Sequence, residues 1–314
     1  MPGIFSKPLI KTLQIAVLIG LVALLWHAVD WREAFVLLQS AQPLLLLAAA
    51  LTLTLQTLLS AQRWRITAGQ LGLGIPFTKA VREYYLAQVV NQSLPGGVIG
   101  DAGRAVRLRG DAGLLIAGQS VVFERLAGQI GLLAVLLTGL ALSAIVPGGL
   151  DWPLWLKTPL TATLLSLAAV PIAIAVVLFV SGKSDTALRR SVRDFRHAVA
   201  ARNVLAQQIG LSIGTAICNV IAFSICAAAL GITLPALVIA TLVPLILFAM
   251  LMPFSIGGWG FREAAAVVLF PLIGATPSEG LATSVVFGLI VLLALLPGLV
   301  LSWMQPETGV IARR

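Results

Sequence analysis

Charged and reactive side chains are scarce in this 314-residue sequence. Only 11% of its residues are Asp, Glu, Lys or Arg, and it has two histidines, two cysteines and two tyrosines. Hydrophobic residues make up 59% of the chain, which is more apolar surface than a water-soluble core of this length could bury. The composition therefore excludes an ordinary soluble protein. A net charge of +9 would suggest nucleic-acid binding in a soluble protein. Here the basic residues lie in separate stretches between apolar runs, so we expect no nucleic-acid partner.

Several kinds of chemistry are excluded by what is missing. The sequence has no Gly-x4-Gly-Lys-Ser/Thr motif, so ATP-driven action is not expected. His27 and His197 lie in unrelated segments, and neither belongs to a metal-binding or nucleophile pattern. Cys218 and Cys226 fall inside one apolar run, which favours packing over a disulfide. We expect no cofactor and no metal.

Long apolar runs are abundant. A bilayer core is crossed by roughly 20 apolar residues, and only helices satisfy the backbone there in runs of this kind. We predict an all-α polytopic membrane protein, a single domain over 1–314, with seven or eight transmembrane segments and an uncleaved first helix. The predicted spans are 9–29, 43–61, 114–146, 158–181, 205–230, 235–253, 262–277 and 281–303.

Basic residues are concentrated in three stretches, which the positive-inside rule places in the cytoplasm. Both termini are then predicted to be cytoplasmic, which requires an even number of spans. That number depends on the segment 262–277, which is short for an upright span. The basic residues are Arg63, Arg65, Lys79 and Arg82 after the second span, Arg104, Arg107 and Arg109 before the third, and those of 183–202 after the fourth.

The segment 182–203 is basic and amphipathic. Leu188, Val192, Phe195 and Val199 recur at helical spacing, while arginines occupy the other faces. We predict a cytoplasmic helix on the membrane surface, attracted to anionic headgroups by about 1 kcal/mol per basic residue. A simple topology signal explains the same charges equally well.

Two segments interrupt the apolar pattern. Residues 84–103 are apolar enough to enter the bilayer but too short and broken to cross it, and residues 253–277 begin with Pro and several Gly. We predict re-entrant or broken helices at both places, where protein or a wet cavity satisfies the backbone. For 84–103, an amphipathic loop on the surface is the alternative.

The two interruptions share a spacing. Both read Pro-x4-Gly-x3-Arg, and adding 158 to Pro95, Gly100 and Arg104 gives Pro253, Gly258 and Arg262. Paired interruptions in two halves of a hydrophobic chain are typical of transporters built from inverted repeats, which bind their cargo between the repeats. The spacing predicts such a repeat.

Charge also occurs inside a predicted span. Glu124 and Arg125 lie about 15 Å along the third span, at 1.5 Å per residue. Ser120, Glu124 and Gly128 share one helical face, so we predict that this stripe points into the protein. Ionisable residues at this depth indicate a functional site. A structural ion pair of Glu124 with Arg262 or Arg104 is the alternative.

The ordered combination of NQSLPGGVIGDAGRAVRLRG, SVVFERLAGQIGLL and PFSIGGWGFREAA resembles the flippase-like transmembrane family. This family includes the transmembrane region of lysylphosphatidylglycerol synthases, and the resemblance covers nearly the whole chain. Glu124 stands where the family more often has aspartate. The matching residues are Asn91, Leu94, Pro95, Gly100, Asp101 and Arg104, then Glu124 and Arg125, and finally Gly260, Arg262 and Glu263.

The resemblance implies movement of a lipid between the leaflets of a bacterial inner membrane. A phosphate headgroup crossing the core needs fixed cations, which arginines supply with bidentate geometry. The expected cargo is an anionic phospholipid or a polyprenyl-phosphate-linked glycolipid, and nothing indicates the oligomeric state. The predicted substrate-binding residues are Asn91, Pro95, Gly100, Asp101, Arg104, Glu124, Arg125, Arg262 and Glu263.

Two other functions stay open at this point. A lipid-modifying transferase could use Asp101, Glu124 or Glu263 as acid or base, but the sequence shows no paired nucleophile and base. An accessory subunit of a lipid or glycolipid pathway is the other alternative. No segment reads as a soluble aminoacyl-transferase domain, so we expect no synthesis of lysylphosphatidylglycerol.

Overall fold

The computed structural model describes residues 30–93, 97–110, 113–145, 187–251 and 258–298. These ranges form ten α-helices and no β-strand, which confirms the predicted all-α fold. The predicted spans 9–29 and 158–181, Pro95 and the residues after 298 lie outside the described residues. The helices are α1 Trp31–Gln39, α2 Pro43–Gln70, α3 Phe77–Ser93, α4 Ile99–Leu108, α5 Gly113–Ile145, α6 Ala187–Ala200, α7 Leu205–Ala229, α8 Ala236–Phe248, α9 Phe261–Leu269 and α10 Pro277–Ala294.

Four helical segments of the described part are long and apolar enough to cross a membrane. They are α2, α7, Gly113–Ser143 of α5, and Pro277–Gly298, which contains α10. The N-terminal half of α2 exposes large apolar side chains at Leu44, Leu47 and Leu51. Such a surface is stable in lipid and costly in water. The polytopic prediction is confirmed.

The second span is longer than predicted, and its basic end is not a loop. Helix α2 continues past residue 61 to Gln70 and ends where Gly72 adopts a φ of +84°. Arg63 lies on the inner face of this helix and is only 4% exposed, and Trp64 is fully buried. Placing Arg63 in a cytoplasmic loop is therefore wrong. It lies where polar side chains of neighbouring helices satisfy its guanidinium.

Helices α3 and α4 pack against each other as a helical hairpin. The Asn91 amide nitrogen of α3 donates to Asp101 of α4 at 3.0 Å, which brings the two arms together. Arg104 is among the basic residues placed in the cytoplasm by the positive-inside rule, but Asp101 and Arg104 are only 6% and 1% exposed. One face of α4, with Gly100, Asp101, Arg104 and Ala105, is packed inside the protein, while Ile99 and Val106 on the other face are exposed.

The second interruption also lies between two short helices. Helix α8 continues into a 3₁₀ turn at Ala249–Leu251, and α9 follows the turn formed by Gly258 to Gly260. Helix α9 has nine residues and a four-residue 3₁₀ continuation, Phe270–Ile273. At 1.5 to 2.0 Å per residue this segment spans about 20 Å, less than the roughly 30 Å of a bilayer core. Its crossing of the membrane stays a prediction.

The order of helices occurs twice. In α2 to α5 and again in α7 to α10, a long helix is followed by a shorter one, an interruption, a short helix and another long one. The first helices of the two series run antiparallel, since Arg63 contacts Thr215 while Thr67 contacts the earlier Gln208. An inverted repeat requires this relation. The alignment predicted from the sequence pairs Gly100 with Gly258, but these two glycines do not occupy equivalent structural positions. Gly100 lies within α4, while Gly258 precedes α9 with a φ of +89°.

The basic segment 182–203 forms α6 at Ala187–Ala200, as its helical spacing predicts. Its apolar face packs against α5, where the Phe195 and Phe123 rings meet edge to face with centroids 5.3 Å apart. Gln119 of α5 also donates to Asp194 at 3.3 Å. The location of α6 on the membrane surface stays a prediction.

The close packing of α5 against α8 can be tested at one glycine. A Cβ added at Gly139 of α5 would lie 1.7 Å from the carbonyl oxygen of Ala240 in α8. We expect Gly139→Ala to destabilise the protein by about 1–3 kcal/mol, because the helices must separate. Thermal unfolding of the purified protein in detergent measures this as a lower midpoint.

Gly210 of α7 is the matched control, since a Cβ there would meet nothing within 4 Å. Gly210→Ala should leave the midpoint unchanged or raise it, because alanine is the better helix former by roughly 1 kcal/mol. Equal midpoints for the two variants would contradict the close contact of α5 with α8.

Candidate functional site

A buried carboxylate lies at the centre of the first half of the fold. Glu124 of α5 has no solvent exposure. Its Oε1 accepts hydrogen bonds from Nη2 of Arg63 at 2.6 Å and from the Tyr84 hydroxyl at 3.2 Å, and its Oε2 accepts from Nη2 of Arg104 at 2.9 Å. The donors come from α2, α3 and α4. One side chain therefore ties four helices together.

The polar stripe of α5 faces the protein interior, as its spacing predicts. Ser120 is fully buried and accepts from the Trp64 indole nitrogen at 3.2 Å. Gly128 lies two turns further along, and a Cβ there would come within 2.6 Å of the Arg63 Nη2 atom. Glycine thus makes room for the arginine that neutralises Glu124.

The guanidinium of Arg104 is enclosed on both faces. Its central carbon lies 4.7 Å from the centre of the Trp64 ring and 4.6 Å from that of Tyr84. Its edge contacts two carboxylates, Asp101 at 2.9 Å through Nε and Glu124 through Nη2. Two buried nitrogens of Arg104, Nε and Nη1, have no hydrogen-bond partner among the described residues, although Nε is ion-paired with Asp101. Nη1 is therefore an unused buried donor.

The predicted residues Asn91, Gly100 and Asp101 shape the hairpin. The Asn91 side-chain oxygen accepts from the Gly100 backbone nitrogen at 2.7 Å, while its nitrogen donates to Asp101. A Cβ at Gly100 would lie 2.0 Å from the carbonyl oxygen of Ala87, so only glycine permits this approach. These residues hold the two arms in register and position the Asp101 carboxylate.

Arg125 is far more accessible than the other arginines around Glu124, Arg63 and Arg104. Its side chain is 40% exposed, pairs with Asp101, and donates from Nη2 to the Gly97 carbonyl at 3.1 Å. This cation links α5 to the turn of the hairpin. It can exchange these partners for a ligand more readily than the buried Arg63 or Arg104.

The charged residues border one cavity of about 240 Å³. This is smaller than the roughly 300–1,000 Å³ of pockets that enclose a whole small molecule, so it suits a headgroup. Three arginines and two carboxylates line it, which gives a net charge of +1. The charged lining residues are Arg63, Arg104, Arg125, Asp101 and Glu124.

Several residues of this cavity are absent from the set predicted from sequence. Arg63, Tyr84 and Thr215 are the main ones. A usable signal was present, because Gln56, Ser60, Arg63 and Thr67 follow one another at i, i+4, i+7 and i+11 on α2. The same spacing recurs on α7 at Gln208, Ser212, Thr215 and Asn219. The two polar stripes face each other across the interface of α2 and α7.

Arg262 and Glu263 form a separate cluster outside this cavity. Arg262 donates to Glu263 at 2.5 Å and to Ser284 at 2.8 Å, and it lies between the rings of Trp259 and Phe287. Both charged side chains are almost fully buried. The structure does not bring them into one site with Arg104 and Arg125. Of the two ion pairs predicted as alternatives for Glu124, the pair with Arg262 is wrong and the pair with Arg104 is present.

These features define a polytopic α-helical membrane protein with a positively charged cavity among its helices. A sequence model of the family described as "Lysylphosphatidylglycerol synthase TM region" matches residues 12–298, and the chain belongs to this family. Comparisons with curated proteins and with solved structures gave no match. The family confirms the resemblance seen in the sequence and indicates a function connected with membrane lipids.

The ion pair at the centre of the cavity predicts a large difference between two neighbouring arginines. Arg63→Ala should destabilise the fold by about 3–5 kcal/mol, because it leaves a buried carboxylate undercompensated. Thermal or chemical unfolding in detergent measures this loss.

Arg65→Ala is the control, two residues along α2. Arg65 is exposed, and it donates to the Ile75 carbonyl at 3.2 Å. Its removal should change stability little. A similar loss for both variants would contradict a special role for the pair of Arg63 with Glu124.

Proposed function

We propose that this protein moves a phosphate-containing lipid between the two leaflets of the bacterial inner membrane. Membership of a family connected with membrane lipids supports the lipid as ligand. The apolar helices support a site within reach of the bilayer. In this proposal the headgroup enters the cavity while the acyl or prenyl chains stay in the membrane.

The observation that carries the proposal is the unused donor of Arg104. A buried guanidinium nitrogen without a partner is costly, because its hydration is lost and not replaced. Arg104 lines a cavity of net positive charge, beside the fully buried Glu124. An anionic phosphate oxygen satisfies both the empty donor and the excess charge. Arginine also suits phosphate because its planar edge presents parallel N–H groups.

Arg125 is suited to first contact with the headgroup. It is partly exposed and holds the Gly97 carbonyl of the hairpin turn. A phosphate that replaces both Asp101 and the Gly97 carbonyl as partners of Arg125 would free the turn from α5. Loss of this contact would let the hairpin move relative to α5 when a headgroup binds. Transport then follows a lipid gradient or mass action, since the sequence has no ATP-binding motif.

The carboxylates support transport over enzymatic chemistry. Asp101 contacts two arginines and the Asn91 amide, Glu124 accepts from two arginines and Tyr84, and Glu263 is held by Arg262. A general acid or base needs a free lone pair or proton directed at the substrate. We propose that these groups balance charge when no lipid is bound, and that no covalent step occurs.

The site also supports the cargo and orientation expected from the sequence. We propose an anionic phospholipid or a polyprenyl-phosphate-linked glycolipid as partner, with both termini in the cytoplasm. Arg63 and Arg104 do not contribute to this orientation signal, because both side chains are buried and not in a loop. The exposed Arg65, Lys79 and Arg109 and the basic helix α6 still mark the same side.

Reconstitution into liposomes with a fluorescent anionic phospholipid tests the function. Dithionite quenching of the outer leaflet measures how much lipid the protein brings to the surface. Arg125→Ala should slow translocation by roughly tenfold or more, since a hydrogen bond to a charged group contributes about 1.5–3 kcal/mol. Glu124→Gln should also slow it, because Arg63 and Arg104 lose their shared counter-charge.

Arg109→Ala is the matched control, because Arg109 is an exposed arginine just after α4 and does not line the cavity. It should translocate lipid at the wild-type rate. Equal rates for wild type, Arg125→Ala and Glu124→Gln, all well folded, would overturn the assignment of this cavity to transport.

A further inference from the structure

The cavity has an uncharged side as well as a charged one. Side-chain amides from four helices line it at Gln56, Gln88, Gln129 and Asn219. All four are partly exposed, so they border the open volume of the cavity. An amide both donates and accepts hydrogen bonds, which matches a hydroxyl group and not a bare charge.

Three of these amides have unused hydrogen-bonding capacity. The Gln88 oxygen accepts from Thr57 at 3.3 Å, and the Asn219 nitrogen donates to the Thr215 carbonyl at 3.1 Å. Their remaining amide atoms, and both of those of Gln129, have no hydrogen bond within the described ranges 30–93, 97–110, 113–145, 187–251 and 258–298. Partly exposed polar groups of this kind are ready to bind a ligand at little cost in existing bonds.

Each of the three amides lies one helical turn beyond Arg125 or beyond a residue that is hydrogen-bonded to Glu124 or Arg63. Gln88 follows Tyr84 by four residues, Gln129 follows Arg125 by four, and Asn219 follows Thr215 by four. One turn of helix is about 5.4 Å, so each amide faces the same cavity one level further on.

The fourth amide, Gln56, lies on the same side of the arginines. Helix α2 runs antiparallel to α7, since Arg63 contacts Thr215 and Thr67 contacts Gln208. On α7 the amide Asn219 comes one turn after Thr215, and on α2 the amide Gln56 comes two turns before Arg63, as the opposite direction requires. We call the amides the amide layer and the cavity arginines the arginine layer.

Among the described residues that line the cavity, a headgroup amine has no comparable partner. An ammonium group needs a carboxylate or an aromatic face. Both lining carboxylates, Asp101 and Glu124, are already paired with arginines. The ring of Tyr84 is covered by the Arg104 guanidinium at 4.6 Å. The features that recognise choline or ethanolamine are thus occupied by the protein's own cations.

We propose that the cavity selects a hydroxyl-bearing phosphate headgroup, of the glycerol or sugar class, over phosphate alone and over amine headgroups. The phosphate lies at the arginine layer and the hydroxyls at Gln88, Gln129 and Asn219. This inference rests on the proposed function, because it names the cargo of the same site. The headgroup can be carried by a glycerolipid or by a polyprenyl phosphate.

Binding and transport are measured separately to test it. Native mass spectrometry of the detergent-solubilised protein measures binding of phosphatidylglycerol, phosphatidic acid and phosphatidylethanolamine with the same acyl chains. We expect phosphatidylglycerol to bind about fivefold or more tighter than phosphatidic acid, the gain from roughly one added hydrogen bond. Phosphatidylethanolamine should bind more weakly than both. A polyprenyl phosphate hexose in the same series shows which lipid carries the preferred headgroup.

Gln129→Leu and Gln88→Leu remove amides while keeping side-chain size. Each should reduce the preference for phosphatidylglycerol over phosphatidic acid and leave phosphatidic acid binding unchanged. Gln207→Leu is the control, because Gln207 is exposed on α7 and outside the cavity lining. It should keep the wild-type preference.

The outcomes separate this inference from the proposed function. Equal binding of phosphatidylglycerol and phosphatidic acid, or a preference for phosphatidylethanolamine, overturns the headgroup selectivity even when liposomes show translocation. Absence of translocation for every lipid overturns the transport function, and the binding series still decides the selectivity. A preference that survives Gln129→Leu combined with Gln88→Leu overturns the role of the amide layer.

Discussion

The first half of this protein is organised around one buried negative charge, the carboxylate of Glu124. A carboxylate without solvent exposure is stable only when cations and hydrogen-bond donors replace its lost hydration. Arg63, Arg104 and Tyr84 provide these from three other helices. Arg63 extends the link to α7 through the Thr215 hydroxyl at 2.8 Å. The position of the α3 and α4 hairpin, and with it the cavity, depends on this charge being satisfied.

The two halves of the repeat neutralise their buried charges with different kinds of partner. In the second half, Arg262 pairs with the adjacent Glu263 and with Ser284, so the charge is balanced by near neighbours. In the first half, Arg104 pairs with Asp101 of its own helix and with Glu124 of α5, and Arg63 of α2 shares that carboxylate. This charge balance involves three helices, and the described cavity lies between them and α7.

Much of the fold and part of the site could be predicted from the sequence. Apolar runs located α2, α5, α7 and α10, and the broken segments located both interruptions, because hydropathy and proline or glycine act locally along the chain. The inward stripe containing Glu124 followed from helical periodicity. The role of Arg63 was missed because a basic residue after an apolar run also fits a cytoplasmic loop. Its stripe of polar neighbours on α2 was the evidence against a loop.

By itself, the sequence determined that the chain is an all-α membrane protein of this family, since composition and apolar length leave no other stable structure. It also indicated that Glu124 is buried, but not that Arg63 and Arg104 are buried with it. Only the tertiary structure decided how they are paired: Glu124 with Arg63 and Arg104, and Arg262 with Glu263. Several arginines could neutralise each carboxylate equally well, so the choice depends on the distances set by helix packing. Those distances are a property of the folded chain and not of any local pattern.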